Sequence, residues 1–163
     1  MGDELHARGP FGVFILREHS DADLIFIGGG AGMAPIWSLL NYMAEQGIER
    51  RAVYYYGART RDDLFHLEEL EALAQRLPTF RFVPALSEPT ADDDWDGEVG
   101  LITDVVDRLE GDLSAHEGYL CGPPPMIDAS IPMLGAHGLP EAKIFFDKFT
   151  ITASEEEQEH ATR

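Results

Sequence analysis

The chain has 163 residues, enough for one domain with a buried core but few for a complete multi-step enzyme. It carries 30 acidic and 12 basic residues, a formal net charge of −18, and 44% of its residues are hydrophobic. Such an acidic chain repels phosphate backbones and anionic bilayers, so the composition argues against binding to nucleic acid or membranes. The single cysteine, Cys121, excludes an internal disulfide and a multi-cysteine iron–sulfur site, which fits a reducing cytoplasm.

Other classes of site are also excluded by the sequence. No segment approaches 18 uninterrupted apolar residues and the N-terminus lacks a basic region before an apolar core, so we expect neither a membrane span nor an export signal. The six histidines show no metal-ligand spacing, so we expect no metal in this chain.

Apolar runs of strand length alternate with amphipathic stretches, which predicts an α/β fold built on a parallel sheet. The predicted strands are Leu24–Gly28, Ala52–Gly57, Phe80–Leu86, Gly118–Cys121 and Lys143–Phe149. The predicted helices are Pro35–Gln46, about Asp62–Leu77, Leu101–Leu109 and Pro124–Ala136.

Three segments fall outside this alternation. Residues 1–17 hold a turn followed by a short predicted strand, Val13–Leu16, and resemble the end of another unit. The acidic segment Glu88–Glu98 is predicted to be a solvated loop. The tail, residues 151–163, lacks apolar periodicity and is predicted to be disordered.

A glycine loop joins the first predicted strand to the first predicted helix. The residues of this loop are GGGAGMAP, Gly28–Pro35. Glycines allow close approach of a pyrophosphate, and the free N–H groups at a helix N-terminus favour negative charge, so the loop predicts an anion site. An ordinary tight turn is the alternative. A P-loop is excluded because no lysine precedes Lys143, and the usual dinucleotide fingerprint is incomplete because Met33 or Pro35 replaces its third glycine.

A second segment is predicted at the same edge of the sheet. Cys121 and Gly122 end the fourth predicted strand, and ligands of open parallel sheets bind beyond the carboxyl ends of strands. We therefore expect Cys121 and Gly122 to face the crevice that Gly30 and Gly32 also serve. A buried, unreactive Cys121 is the alternative.

These segments resemble the ferredoxin-NADP reductase-like flavoprotein reductases, specifically their nicotinamide-nucleotide-binding domain. Gly30–Pro35 is similar to their Gly-x-Gly-x-x-Pro loop, and Cys121–Met126 is similar to their Cys-Gly-Pro-x-x-Met motif. Tyr56–Arg59 with Asp63–Phe65 is similar to their ribose and adenine segment. Gly9–Phe14 resembles the last strand of the preceding flavin-binding barrel. Phe145–Phe149 resembles the ending of the reductase component of bacterial multicomponent oxygenases of the phenol hydroxylase type.

The resemblance implies a Rossmann-like three-layer sandwich with a five-stranded parallel sheet in the order 3-2-1-4-5. It divides the chain into a barrel remnant over residues 1–17, a nicotinamide-nucleotide-binding domain over residues 18–150 and the tail over residues 151–163. It implies contact of Cys121 with the nicotinamide, without covalent attack, and a position of Phe149 near the flavin, although Phe149 is equally well explained as a core aromatic. The implied nucleotide-binding residues are Gly29, Gly30, Ala31, Gly32, Met33, Ala34, Pro35, Gly57, Arg59, Arg61, Phe65, Cys121, Gly122, Pro123 and Met126.

The implied function is binding of NADH for hydride transfer to FAD, with electrons passing through a 2Fe–2S cluster to an oxygenase component. NADH is preferred to NADPH because acids adjoin Arg59 and Arg61, although both arginines are expected to supply positive charge near the ribose. The flavin motif Arg-x-Tyr-Ser/Thr and the cluster motif Cys-x4-Cys-x2-Cys do not occur in the chain, so FAD-binding and ferredoxin domains are expected as partners. Tightly bound FAD is not expected here.

Two other functions stay open at this point. A nucleotide-binding regulatory module would keep the fold without electron transfer. A thiol enzyme would use Cys121 as nucleophile, although only His116 is close in sequence to act as its base.

Overall fold

Strands and helices alternate along the chain as the apolar runs predict. The structure is a computed structural model and describes residues 14–149. The strands are β1 (Asp23–Gly29), β2 (Ala52–Ala58), β3 (Phe80–Leu86), β4 (Glu98–Val99), β5 (His116–Gly122) and β6 (Ile144–Lys148). The helices are α1 (Met33–Gln46), α2 (Leu67–Arg76), α3 (Ile102–Leu109) and α4 (Pro124–Ala136), with short 3₁₀ turns at Gly30–Gly32, Arg61–Asp63 and Glu141–Lys143.

All the strands of this sheet are parallel, in the order β4-β3-β2-β1-β5-β6. Without β4 this is the predicted order of five strands. β4 is an addition at the edge: it has 2 residues, and Glu98 and Val99 pair with Ala85 and Leu86 at the end of β3. The sequence pattern missed it because so short a strand, at the end of an acidic loop, has no apolar alternation to detect.

Two apolar layers cover the sheet, one on each face. The central strand β1 is buried on both faces, which explains its continuous apolar run. On one face α1 and α2 cover the side chains of Leu24, Phe26, Tyr54, Tyr56, Tyr119 and Cys121. On the other face α3 and α4 cover Ile25, Ile27, Val53, Tyr55, Val83 and Leu120. This is the predicted three-layer sandwich.

The second predicted helix is shorter than the sequence suggested. Residues Arg61–Asp63 form a separate 3₁₀ turn, and α2 begins only at Leu67. Thr60 and Asp63 form a capping box at the start of this turn, and His66, which directly precedes α2, has left-handed backbone with φ of 56°. The prediction of one continuous helix over residues 62–77 is therefore wrong, since leucine periodicity does not report this break.

The segment before β1 is docked on the sheet without forming a strand. Residues 14–16 have no strand pairing, which contradicts the part of the predicted strand Val13–Leu16 that lies in the described range. Their contacts are made by side chains instead: the Phe14 ring meets the Tyr119 ring edge-on, with centroids 5.9 Å apart, and the Arg17 amide donates to the Tyr119 hydroxyl. The predicted barrel remnant up to Val13 and the predicted disordered tail lie outside the described residues.

No helix between residues 14 and 149 is long and apolar enough to cross a membrane.

Candidate functional site

A cavity of about 650 Å³ lies at the carboxyl edge of the sheet, where β1, β2, β3 and β5 end. The order of the strands reverses between β1 and β5, and this is the place where open parallel sheets bind ligands. The residues that line the cavity are Gly29, Gly30, Gly57, Ala58, Arg59, Asp63, Phe65, Ser87, Gly100, Leu101, Ile102, Thr103, Pro123, Pro125, Met126 and Ala129.

The glycine loop forms one wall of this cavity. Gly30 has a φ of 54°, and a side chain there would meet open space, so the backbone is exposed to a ligand. Within residues 14–149, no side chain caps α1, which begins three residues later at Met33, or the 3₁₀ turn that leads into it. The Met33 N–H donates to the carbonyls of Gly30 and Ala31 and Pro35 has no N–H, so the backbone N–H groups of the turn Gly30–Gly32 and the positive end of the helix dipole are the features that favour an anion here.

The two predicted motifs contact each other directly. A methyl group on Gly32 would overlap the carbonyl group of Cys121, and it would lie 2.7 Å from the Gly122 nitrogen. Gly32 therefore allows the start of α1 to pack against the end of β5. Gly29 makes a similar approach to Met126, since its absent side chain would lie 2.8 Å from the Met126 sulfur.

The adjoining wall is apolar. Pro123 precedes α4, and Pro124 and Pro125 occupy its first turn, so α4 presents no N–H groups at those positions. Pro123, Pro125 and Met126 line the cavity from this side. The site thus combines the N-terminus of α1, which suits an anion, with the N-terminus of α4, which suits an uncharged ring.

Cys121 does not line the cavity. Its side chain is fully buried in the apolar layer beneath α1, which is the placement that the alternative interpretation expected. Burial, together with the nearby Asp147 carboxylate, raises the pKa of the Cys121 thiol to about 12. The thiol is therefore protonated near neutral pH and poorly suited to act as the nucleophile of a thiol enzyme.

Arg59 lines the cavity and Arg61 lies outside its lining, and the guanidinium groups of both already have hydrogen-bond partners. The Arg59 guanidinium makes two hydrogen bonds to the Glu88 carboxylate, at 3.2 Å from Nε and 2.9 Å from Nη2. Arg61 donates to the backbone carbonyl of Asp93 at 2.9 Å. The positive charge expected at Arg59 is therefore present and paired with an acid from the loop after β3.

Phe65 forms an exposed apolar part of the wall, with 52% of its surface accessible. The capping box of Thr60 and Asp63 orders the turn before it, and Leu64 is buried. The His66 ring stacks on Trp37 of α1. The Phe65 ring is thus held at the surface by a well-packed turn.

Phe149 lies beside the end of β5 and not in the cavity. Its amide donates to the Gly122 carbonyl at 3.0 Å, and its side chain is 41% exposed. It is therefore not the fully buried core aromatic of the alternative interpretation, and its predicted position near a flavin stays a prediction.

The structure brings part of the predicted set together in one cavity. The predicted residues that line it are Gly29, Gly30, Gly57, Arg59, Phe65, Pro123 and Met126. The predicted residues outside its lining are Ala31, Gly32, Met33, Ala34, Pro35, Arg61, Cys121 and Gly122.

The sequence reasoning missed Ser87, Ala129 and the segment Gly100–Thr103, which also line the cavity. Ser87 directly follows β3, and this position was the available signal, because every strand of a parallel sheet ends at the same edge. Gly100, with a φ of 124°, precedes α3 and was recognisable only as a helix start.

The strand order and the glycine loop at the reversal point define a Rossmann-like nucleotide-binding domain. The sequence over residues 26–131 matches the family described as "Oxidoreductase NAD-binding domain", and the chain belongs to this family. The predicted resemblance to flavoprotein reductases is thereby confirmed. Individual relatives show which reductases the chain is similar to.

The propane 2-monooxygenase reductase component of Rhodococcus jostii is 48% identical over 158 residues, which are 95% of this chain and 43% of that protein. The phenol 2-monooxygenase reductase component DmpP of Pseudomonas sp. is 40% identical over 154 residues, which are 94% of this chain and 44% of that protein. The crystal structure of the Amycolatopsis cytochrome P450 reductase GcoB has a TM-score of 0.79 at 31% identity and covers 89% of this chain and 44% of that chain. The chain thus spans less than half the length of these proteins.

Proposed function

We propose that this chain binds NADH and positions it for hydride transfer to FAD, with electrons then passing through a 2Fe–2S cluster to an oxygenase component. The observation that carries the proposal is the cavity at the strand-order reversal, where the glycine loop that leads into α1 adjoins an apolar proline wall. The likeness to reductase components of oxygenases supports the later steps.

The residues present fit a dinucleotide. The pyrophosphate lies on the backbone of Gly30–Ala34, where Gly30 leaves open space and the N-terminus of α1 supplies N–H groups. The adenosine ribose lies near Arg59 and Arg61, with the exposed Phe65 ring available to the adenine. The nicotinamide lies towards the end of β5, beside the Cys121–Gly122 backbone.

Cys121 has a positional role in this proposal. Its thiol is buried beneath α1 and has a raised pKa, so it supports the end of β5 by packing and is not suited to covalent attack. When bound, the nicotinamide supplies the hydride, and the contribution of the chain is to fix its place, because hydride transfer requires close approach of donor and acceptor.

NADH is the proposed nucleotide because, within residues 14–149, the two arginines near the predicted ribose position already have hydrogen-bond partners. Both donors on one edge of Arg59 are held by Glu88, whose carboxylate repels a phosphate placed there. Arg61 is bonded to a backbone carbonyl on the same acidic loop.

Titration of the purified 163-residue chain with NADH and NADPH by isothermal calorimetry tests the first step. We expect binding of NADH, weaker binding of NADPH, and a colourless protein without stoichiometric flavin. Absence of NADH binding would contradict the proposal.

The later steps are tested by mixing the chain with a flavin-loaded barrel domain of a related reductase and following flavin reduction by its absorbance. Flavin reduction that requires the chain supports the electron-transfer role. Binding of NADH without flavin reduction, even after the two domains are joined covalently, would support the regulatory module instead.

A further inference from the structure

Two tyrosines stand side by side beneath the cavity, on the face of β2 that α1 and α2 cover. Tyr54 and Tyr56 are both fully buried, and their rings stack at a centroid distance of 5.5 Å and an interplanar angle of 15°. Their surroundings are therefore similar, but their hydroxyl groups are not used in the same way.

The Tyr56 hydroxyl has two partners. It accepts a hydrogen bond from the backbone N–H of Phe65 at 3.1 Å, and it donates to the backbone carbonyl of Gly30 at 3.4 Å. The Tyr54 hydroxyl is buried and has no hydrogen-bond partner among residues 14–149. Of these two hydroxyl groups, only that of Tyr56 joins separate segments of the chain.

The two segments that it connects are separate walls of the cavity. Gly30 belongs to the loop after β1, and Phe65 belongs to the turn after β2. Each contributes a surface to the same ligand site, so their separation sets the width of the cavity at this point. A buried hydroxyl that bonds both backbones restrains that separation.

We propose that Tyr56 is a positioning residue, whose hydroxyl fixes the glycine loop relative to the Phe65 wall and thereby strengthens binding of the adenosine and pyrophosphate part of the nucleotide. This inference rests on the proposed function. Burial raises the pKa of Tyr56, so its proton is retained for donation to Gly30 over the physiological pH range.

The adjacent tyrosine supplies a matched control. Tyr56→Phe removes two hydrogen bonds and keeps the ring, whereas Tyr54→Phe removes a hydroxyl that makes none. The probe is ADP-ribose, titrated calorimetrically into the purified 163-residue chain. We expect Tyr56→Phe to weaken binding about fivefold to tenfold, because each of the two lost hydrogen bonds contributes modestly to positioning the site, and Tyr54→Phe to leave binding unchanged. Equal affinities of wild type and Tyr56→Phe, or equal weakening by both variants, would overturn the proposal.

A second pair of variants tests the same bond without altering the core. Phe65→Ala and Phe65→Pro both remove the exposed ring, but only proline also removes the N–H that bonds Tyr56. Leu64 has φ of −89° and ψ of 109°, which a following proline tolerates. We expect Phe65→Pro to bind ADP-ribose several-fold more weakly than Phe65→Ala, and identical affinities would count against the role of Tyr56.

Hydrogen exchange separates positioning from a general loss of stability. In Tyr56→Phe we expect faster exchange at the Phe65 amide, with unchanged exchange in the central strand β1. Uniformly faster exchange would show a merely structural role. If the wild-type chain binds neither NADH nor ADP-ribose, the proposed function itself fails, and that result is distinct from each of these.

Discussion

The two edges of the sheet satisfy their polar groups in opposite ways. At the amino edge, charged side chains pair with one another: Arg50 and Glu117 form a buried ion pair at 2.9 Å, and Arg51 pairs with Asp23. At the carboxyl edge the walls are glycine backbone, helix N-termini and apolar side chains, and the ion pair of Arg59 with Glu88 is confined to the exposed rim. At one edge charged side chains are paired with one another, whereas the other edge leaves backbone groups available to a ligand.

Because of this difference, residues that affect only stability and residues that also affect binding lie at different edges of the sheet. The Arg50 guanidinium also donates to the carbonyls of Ala22 and Arg17, so it attaches the segment before β1 to the sheet. Because these contacts are remote from the cavity, we expect substitutions at the amino edge to change folding free energy and those at the carboxyl edge to change binding as well.

The largest effect is expected at the carboxyl edge from Gly32→Ala. The new methyl group overlaps the backbone of Cys121, and backbone cannot rotate away as a side chain can. We expect a loss of about 4 kcal/mol or more in the free energy of unfolding, near the top of the range for single substitutions, and loss of NADH binding.

Urea unfolding measures this loss, and Gly135→Ala on α4 is the control. A methyl group at Gly135 meets open space, so the same change there should be neutral or stabilising. Similar free energies of unfolding for Gly32→Ala and the wild type would show that the two loops are not in close contact.

The second-largest effect, a loss of stability, is expected at the amino edge from Arg50→Ala. It leaves the Glu117 carboxylate buried and unpaired, so we expect a loss of about 3 kcal/mol in the free energy of unfolding. Affinity for NADH should stay unchanged in calorimetric titration.

The double variant Arg50→Leu with Glu117→Leu is the comparison for this pair. Because it removes both charges, we expect it to lose less stability than Arg50→Ala. A greater loss in the double variant, or weakened NADH binding by Arg50→Ala, would contradict the separation of the two edges.

A smaller effect is expected at the rim from Glu88→Gln. The substitution removes the charge that holds Arg59, so we expect NADPH affinity to rise about threefold relative to NADH affinity, as suits an exposed pair. Titration with both nucleotides measures the ratio, and Glu68→Gln on the exposed face of α2 controls for the change in net charge. An unchanged ratio of NADPH affinity to NADH affinity would show that Glu88 does not contribute to nucleotide selection.

The smallest effect is expected from His137→Gln, at the C-terminal end of α4. A hydrogen bond to Asp107 and one to the Gly111 carbonyl raise the pKa of His137 above its unfolded value. Protonated His137 therefore stabilises the fold fully below about pH 6.5, and this contribution disappears as the pH rises through the raised pKa. Urea unfolding at pH 6 and pH 9 should show a larger deficit of the variant at pH 6, and the exposed His19→Gln should show none.

The amino-acid pattern predicted most of the sheet because buried parallel strands need continuous apolar runs. Phe80–Leu86 and Pro124–Ala136 have the predicted bounds, since each is limited by residues that act locally, such as the prolines of α4. The break before α2 and the two-residue β4 were not predictable in this way. The first depends on left-handed backbone at His66, and the second exists only because β3 is beside it.

What the sequence determined by itself was the class of fold, the glycine loop and the strand end at Cys121, because glycine, proline and apolar periodicity act through local backbone physics. Only the tertiary structure decided which of these residues meet. It placed Gly32 against the backbone of Cys121, buried the thiol away from the cavity, and brought Glu88 to Arg59 from the next strand end. It also gave Tyr56 and not Tyr54 a pair of hydrogen-bond partners. These are long-range contacts, and no local preference of a tyrosine or an arginine specifies its partner.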